Sequence, residues 1–243
     1  MTGLLYRELR LHWKNLLVFT ICMMAYPVLI TVMCVTGDEE TVPYEISYML
    51  FGLGGFIAFL VGGAFENLIF TDNGRKKWAY FVASTPTGIK GQIGAKYLFT
   101  LIYAMFITTL LILNNCLAME GKAKIGDSSL IFVGLFYMQL LMRAIEFPLV
   151  ARFGGKTGNA VKITIVGVVA LVIFVYGLFG DTSAFSDMPN FWETLFKTMN
   201  DPEKMKKKVL LFSIITTAII PIYYLSYRLS VKWYLKGVEN YAK

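Results

Sequence analysis

The stretch TDNGRKKWAYFVASTPTGIKGQIGAKYL (residues 71–98) separates two hydrophobic runs that are each too long for a core strand. It gathers five cations, Arg75, Lys76, Lys77, Lys90 and Lys96, around Trp78, Tyr80 and Phe81. Thr71, Asp72 and Asn73 offer capping oxygens to the helix-compatible run GRKKWAYFVAS. Pro86 and Gly88 stop that run, and IKGQIGAKYL leads into the next apolar one. A short helix presenting aromatics beside cations reads as a docking surface. A charged loop that only orients the chain would explain the cations but not the aromatics.

Outward from this stretch the chain is strongly apolar. Of its 243 residues 56% are hydrophobic and 16% charged, and the mean hydropathy is +0.59. A soluble domain of that length cannot hide so much apolar surface. Six runs come near the roughly 20 residues that a helix needs to cross a bilayer core. They are 15–36, 46–68, 97–118, 129–151, 161–180 and 209–231. No alternating pattern suggests a barrel, so the spans are read as helices that satisfy their own backbone groups. The expectation is an all-α integral membrane protein, a single transmembrane domain over 1–243.

Six spans put both termini on one side. Fifteen Lys and Arg residues fall in the N-terminal arm, the second and fourth connections and the tail, against seven on the opposite side. The bias places both termini and residues 71–98 in the cytoplasm of a cell whose plasma membrane holds the chain. The cluster KMKKK (204–208) lies on the outer side and runs against it. In this setting the formal charge of +7 orients spans and does not signal nucleic acid. Cys22, Cys34 and Cys116 are odd in number and lack metal-ligand spacing, so neither a disulfide framework nor a zinc site is expected. The first apolar run carries no cleavage signature and is expected to remain as a span.

Several motifs have two readings. LLYRELRLHWKNLL (4–17) mixes leucines and Trp13 with Arg7, Glu8, Arg10 and Lys14, as an interfacial elbow helix would; a plain basic flank has the same composition. Gly54, Ala58 and Gly62 form a small-residue stripe for close helix approach, within the chain or between two copies. Arg143 and Glu146, at i and i+3 inside the fourth span, form a polar pair facing protein or reach the headgroups from its cytoplasmic end. GGKTG (154–158) imitates a phosphate-binding loop, but that loop needs a glycine where Val150 stands. DEET (38–41) imitates the glutamates of a prenyl-processing membrane protease, which also needs more histidine than His12, read here as an interfacial side chain. No constellation supports catalysis. Phe191, Trp192, Leu195, Phe196 and Met199 recur at helical spacing, which predicts a short extracellular helix over 188–208 before the last span.

With LLYRELR at its start, EN followed by DNGRKKWAYFVASTPTGIKGQIGAKYL between spans two and three, and a helical segment before the sixth span, the sequence resembles the membrane subunit of ATP-binding-cassette (ABC) exporters of the ABC-2 permease class. The resemblance covers essentially the whole chain. Asp72 stands where the pattern has Glu, and Ser84-Thr85-Pro86 replaces its Ser-Leu-Pro. The small form looks most like the phenol-soluble-modulin exporters of Gram-positive bacteria, with antibiotic and bacteriocin-immunity exporters similar as well. The resemblance implies a homodimer working with two copies of a separate ATPase. That ATPase would bind ATP and Mg, and this chain no cofactor. Asn73, Gly74, Arg75, Lys76, Lys77, Trp78, Tyr80 and Phe81 would form the coupling helix (73–84) on the ATPase, and 152–162 a second contact. The implied cargo is a substrate such as an amphipathic, membrane-active peptide. A non-transporting sensor or immunity subunit using the same contact is the alternative. A secondary transporter would call for a pair of broken spans that the sequence lacks.

Overall fold

Runs that are apolar on every face leave the backbone to bond within each segment and the side chains to meet neighbours or lipid. A computed structural model describes residues 2–37, 44–71, 76–122, 128–179 and 202–238, and every regular element among them is α-helical. In order they are α1 (Thr2–Thr36), α2 (Tyr44–Thr71), α3 (Lys76–Ala83), α4 (Gly88–Met119), α5 (Ser129–Phe153), α6 (Gly155–Phe179) and α7 (Pro202–Val238). By length and composition α1, α4 and the Ile131–Phe153 part of α5 are able to cross a membrane, and Met49–Ala64 is a shorter apolar segment of α2.

Contacts between helices fix their directions. The Thr20 and Tyr103 hydroxyls are 3.2 Å apart, and Thr31 Oγ1 donates to the Asn114 carbonyl at 3.3 Å. Both pairs have the same sequence offset, so α1 and α4 run parallel. Gly54 lies against Tyr26 and Pro27 while Gly62 lies against Met23, which makes α2 antiparallel to α1. Gly55 meets Phe132 and Gly62 meets Gln139, so α5 follows the direction of α2. The Tyr227 hydroxyl donates to the Lys90 carbonyl and the Tyr223 hydroxyl to the Tyr97 carbonyl, so α7 opposes α4. The starts of α1 and α4 therefore share one end of the bundle with the finishes of α2, α5 and α7. This end carries α3 and most of the cations.

Two buried clusters hold the bundle. Met23, Ile30, Phe51, Phe99, Tyr103 and Phe132 join α1, α2, α4 and α5; Ile93, Tyr97, Phe147, Val150 and Tyr234 join α4, α5 and α7 at the shared end. Helices in lipid gain little from burying apolar surface on each other, so close approach at small residues matters more. The tightest case is the α5–α6 corner. Gly154 turns it at φ 83°, and a methyl group on Gly158 would sit 2.8 Å from Val150 Cα. The glycines of GGKTG thus build a one-residue corner, with the Gly158 N–H donating to the Gly154 carbonyl at 2.7 Å.

The structure corrects three expectations. The arm and first span are not separate elements: α1 runs unbroken for 35 residues, about 52 Å, against a bilayer core of about 30 Å. Charges at Arg7, Arg10 and Lys14 end an apolar run without ending a helix, and the first proline, Pro27, lies well inside it. Residues 180–201, which hold most of the expected outer helix, lie outside the described residues. The remainder, 202–208, opens α7, so Lys204, Lys206, Lys207 and Lys208 prolong the last helix instead of ending an interfacial one. Pro202 suits that position, since a first-turn residue needs no N–H. His12 is not interfacial. It is 2% exposed and buried beside Glu8, with Nε2 3.7 Å from the carboxylate. Because Leu4 lies beside Gly91, this pair comes level with buried Gln92 and Lys96 of parallel α4.

Candidate functional site

Helix α3 is eight residues long, about 12 Å, and packs against α4 and α7 at the shared end. Its C-terminal carbonyls have local partners. Ser84 Oγ donates to the Phe81 carbonyl and Thr85 Oγ1 to the Val82 carbonyl, each at 2.7 Å. The Gly88 N–H then donates to the Thr85 carbonyl, and Gly88 itself opens α4 at φ 57°. Orphan carbonyls of a last turn need such donors, and the STPTG sequence supplies them in the space of one turn. Val82 is 5% exposed and tucked inward, whereas Tyr80 and Phe81 are 57% and 58% exposed. Lys76, Lys77 and Trp78 fall in the first turn of α3, with side chains outside the described set; Asn73, Gly74 and Arg75 lie outside the described residues altogether.

Two turns of α4 beyond Lys90, Tyr97 is the junction of three helices. Its hydroxyl lies 2.7 Å from Ser226 Oγ and 2.7 Å from Ser230 Oγ, both on α7. Ser226 Oγ in turn donates to the Ala144 carbonyl of α5 at 2.6 Å. The Tyr97 ring is held edge-on by Phe147 at 5.0 Å, Tyr223 at 5.1 Å and Tyr227 at 5.7 Å. Nothing local in the sequence sets Tyr97 apart from the rest of 71–98. The available signal was on α7, where Tyr223 and Tyr227, and Ser226 and Ser230, repeat at i, i+4 and so share a face.

Arg143 and Glu146 are brought together, buried inside the bundle rather than reaching outward. Arg143 donates to Glu146, which is 1% exposed, and Lys162 Nζ reaches the other carboxylate oxygen at 2.6 Å. The Gly154 corner folds α6 back on α5 and so places Lys162 here. On the far side, Gly63 of α2 leaves room for the guanidinium, since a methyl there would lie 2.6 Å from one of its nitrogens. The cluster thus links α2, α5 and α6. A buried carboxylate needs such partners, because an isolated charge in lipid is costly.

The Gly54–Ala58–Gly62 stripe packs within the chain. A methyl on Gly54 would meet Tyr26 at 3.0 Å, and one on Gly62 would meet Gln139 at 2.8 Å and Met23 at 3.2 Å; Ala58 is buried. Cys22 and Cys116 are exposed and Cys34 buried, all three as free thiols. Among the described residues no group of three His, Cys, Asp or Glu side chains is placed to hold a metal.

A family model described as ABC-2 family transporter protein matches residues 3–235, from the start of α1 to near the end of α7. No curated protein and no solved structure matches the chain. The family match does not support the narrower resemblance to phenol-soluble-modulin exporters. Long apolar helices and a match across nearly the full sequence agree with each other. The chain belongs to the ABC-2 family of transporter proteins, multi-pass membrane components of ABC transporters that carry no ATPase domain of their own and work with an ABC ATPase.

Proposed function

We propose that this chain is the permease of an ABC exporter and that α3 is the element on which the ATPase docks. The observation that carries this reading is the division of α3: Val82 anchors it to the bundle while Tyr80 and Phe81, adjacent in sequence, face outward at the basic end. Exposed aromatics beside cations are what a buried anchor with a polar rim requires. The six long helices α1, α2, α4, α5, α6 and α7 act as six spans of one permease domain, with both termini and α3 in the cytoplasm. The cation bias at the shared end and the parallel and antiparallel directions support that orientation. Two copies of the chain assemble with two ATPase subunits, which bind ATP and Mg. The Gly54–Ala58–Gly62 stripe is used within the chain, so the contact between copies lies elsewhere.

A photo-crosslinking residue at position 81 tests the reading. Capture of the ATPase from 81, with none from exposed Ile163 on α6, is expected. Capture only from positions 152–162 would move the docking element to the α5–α6 corner.

A further inference from the structure

We propose that the Tyr97 hydroxyl is a positioning group that couples α3 to the α5–α7 pair, so that movement of the docking element reaches the buried Arg143–Glu146–Lys162 cluster. The proposal rests on the reading of α3 as the docking element. Its basis is a chain of hydroxyl groups whose polarity is fixed by counting protons. Ser226 has one hydroxyl proton and gives it to the Ala144 carbonyl at 2.6 Å. At Tyr97, 2.7 Å away, Ser226 therefore accepts, and the phenol proton goes to it. Ser230, also at 2.7 Å, must then donate to Tyr97. The order is Ser230 to Tyr97 to Ser226 to the Ala144 carbonyl, crossing from α7 to α4, back to α7 and on to α5.

This chain sits where leverage is greatest. Four residues connect α3 to α4, and they are stiffened by the Ser84 and Thr85 caps and by Pro86. Tyr97 lies nine residues into α4, about 14 Å from Gly88. Ala144, where the chain ends, directly follows Arg143 and precedes Glu146 by two residues. Displacing α4 at its base thus pulls on the backbone of α5 at the level of the ion cluster, through hydrogen bonds with a fixed direction. The ring is separately wedged by Phe147, Tyr223 and Tyr227. Packing and hydroxyl linkage can therefore be parted: a Phe side chain keeps the first and deletes the second.

The experiment uses the chain co-purified with its ATPase in lipid nanodiscs, and reads ATP hydrolysis. In Tyr97→Phe, kcat is expected to fall about fivefold or more, the lower end of ordinary coupling between sites. The KM for ATP and the amount of co-purified ATPase should not change, since the nucleotide site and α3 are untouched. Ser230→Ala, which removes the first donor and nothing from the wedge, should move kcat the same way and is available if Tyr97→Phe folds poorly. Wild-type kcat in either variant, even with a lowered unfolding temperature, would overturn the proposal and leave Tyr97 a packing residue. So would loss of the ATPase from Tyr97→Phe. Failure of the docking reading looks different: Tyr80→Ala and Phe81→Ala would then keep the ATPase, whatever Tyr97→Phe does.

Discussion

Replacing Glu146 by Gln keeps the size of the side chain and removes one charge, which isolates what the buried cluster contributes. Glu146 accepts from Arg143, itself almost fully buried, and from Lys162, whose side chain is 26% exposed. Breaking a buried ion pair by removing one partner costs about 3–5 kcal/mol, because the remaining charge loses its compensation inside a medium of low dielectric. Lys162 can turn toward solvent or headgroups and so adds little, which puts the expected loss near the lower limit, about 3 kcal/mol. At about 2–4 °C per kcal/mol for a chain of this size, the unfolding midpoint should drop by roughly 6–12 °C. Thermal unfolding of the purified chain in nanodiscs gives the number. Lys162→Gln should cost less, and Arg143→Gln combined with Glu146→Gln should cost less than the two single changes added. An unchanged midpoint in Glu146→Gln would refute the view that the carboxylate is held by buried cations.

Gly158→Ala should destabilise by about 1–3 kcal/mol, since the new methyl meets Val150 Cα at 2.8 Å and the Leu149 carbonyl at 3.0 Å, backbone atoms that cannot swing aside; the same unfolding assay reads it. Gly62→Leu should lower stability by pressing on Gln139 and Met23 while the native mass of the assembly stays the same, and conversion to single copies would return the stripe to the interface between chains. A membrane-impermeant thiol reagent should reach Lys206→Cys from outside the cell only, on a background with Cys22, Cys34 and Cys116 replaced; labelling from the cytoplasm alone would invert the topology.

What the sequence made legible was set by the bilayer. Apolar runs about as long as its core marked the apolar parts of the long helices. They did not mark the helix ends, because a helix outlasts its apolar stretch wherever charged residues adjoin it without a breaker. Residues 2–14 and 202–208 are cases of this, and so are 88–96, which lie outside the apolar run but form the first turns of α4. Arg143 and Glu146 could be paired because their spacing is local. Lys162 could not, because only the turn at Gly154 brings it back sixteen residues later. Likewise Glu8 and His12 read as an ordinary polar arm, and nothing local in the sequence shows that both are buried in the fold. The α3 segment was readable because aromatics, cations and Pro/Gly stops were all within one short stretch. Its link to α7 through Tyr97 was not, since hydroxyl partners about 130 residues apart leave no local pattern.

The central claim is that α3 binds the ATPase through Tyr80 and Phe81, and the affinity of the purified chain for its ATPase tests it most directly. Truncating a buried aromatic anchor to alanine costs about 2 kcal/mol or more, roughly thirtyfold in Kd. Tyr80→Ala and Phe81→Ala, each inserted normally in the membrane, should weaken binding by that factor or more, while Lys76→Gln and Lys77→Gln change it little and act mainly on association rate. Wild-type Kd in both aromatic variants, with binding lost instead through a change in 152–162, would contradict the account.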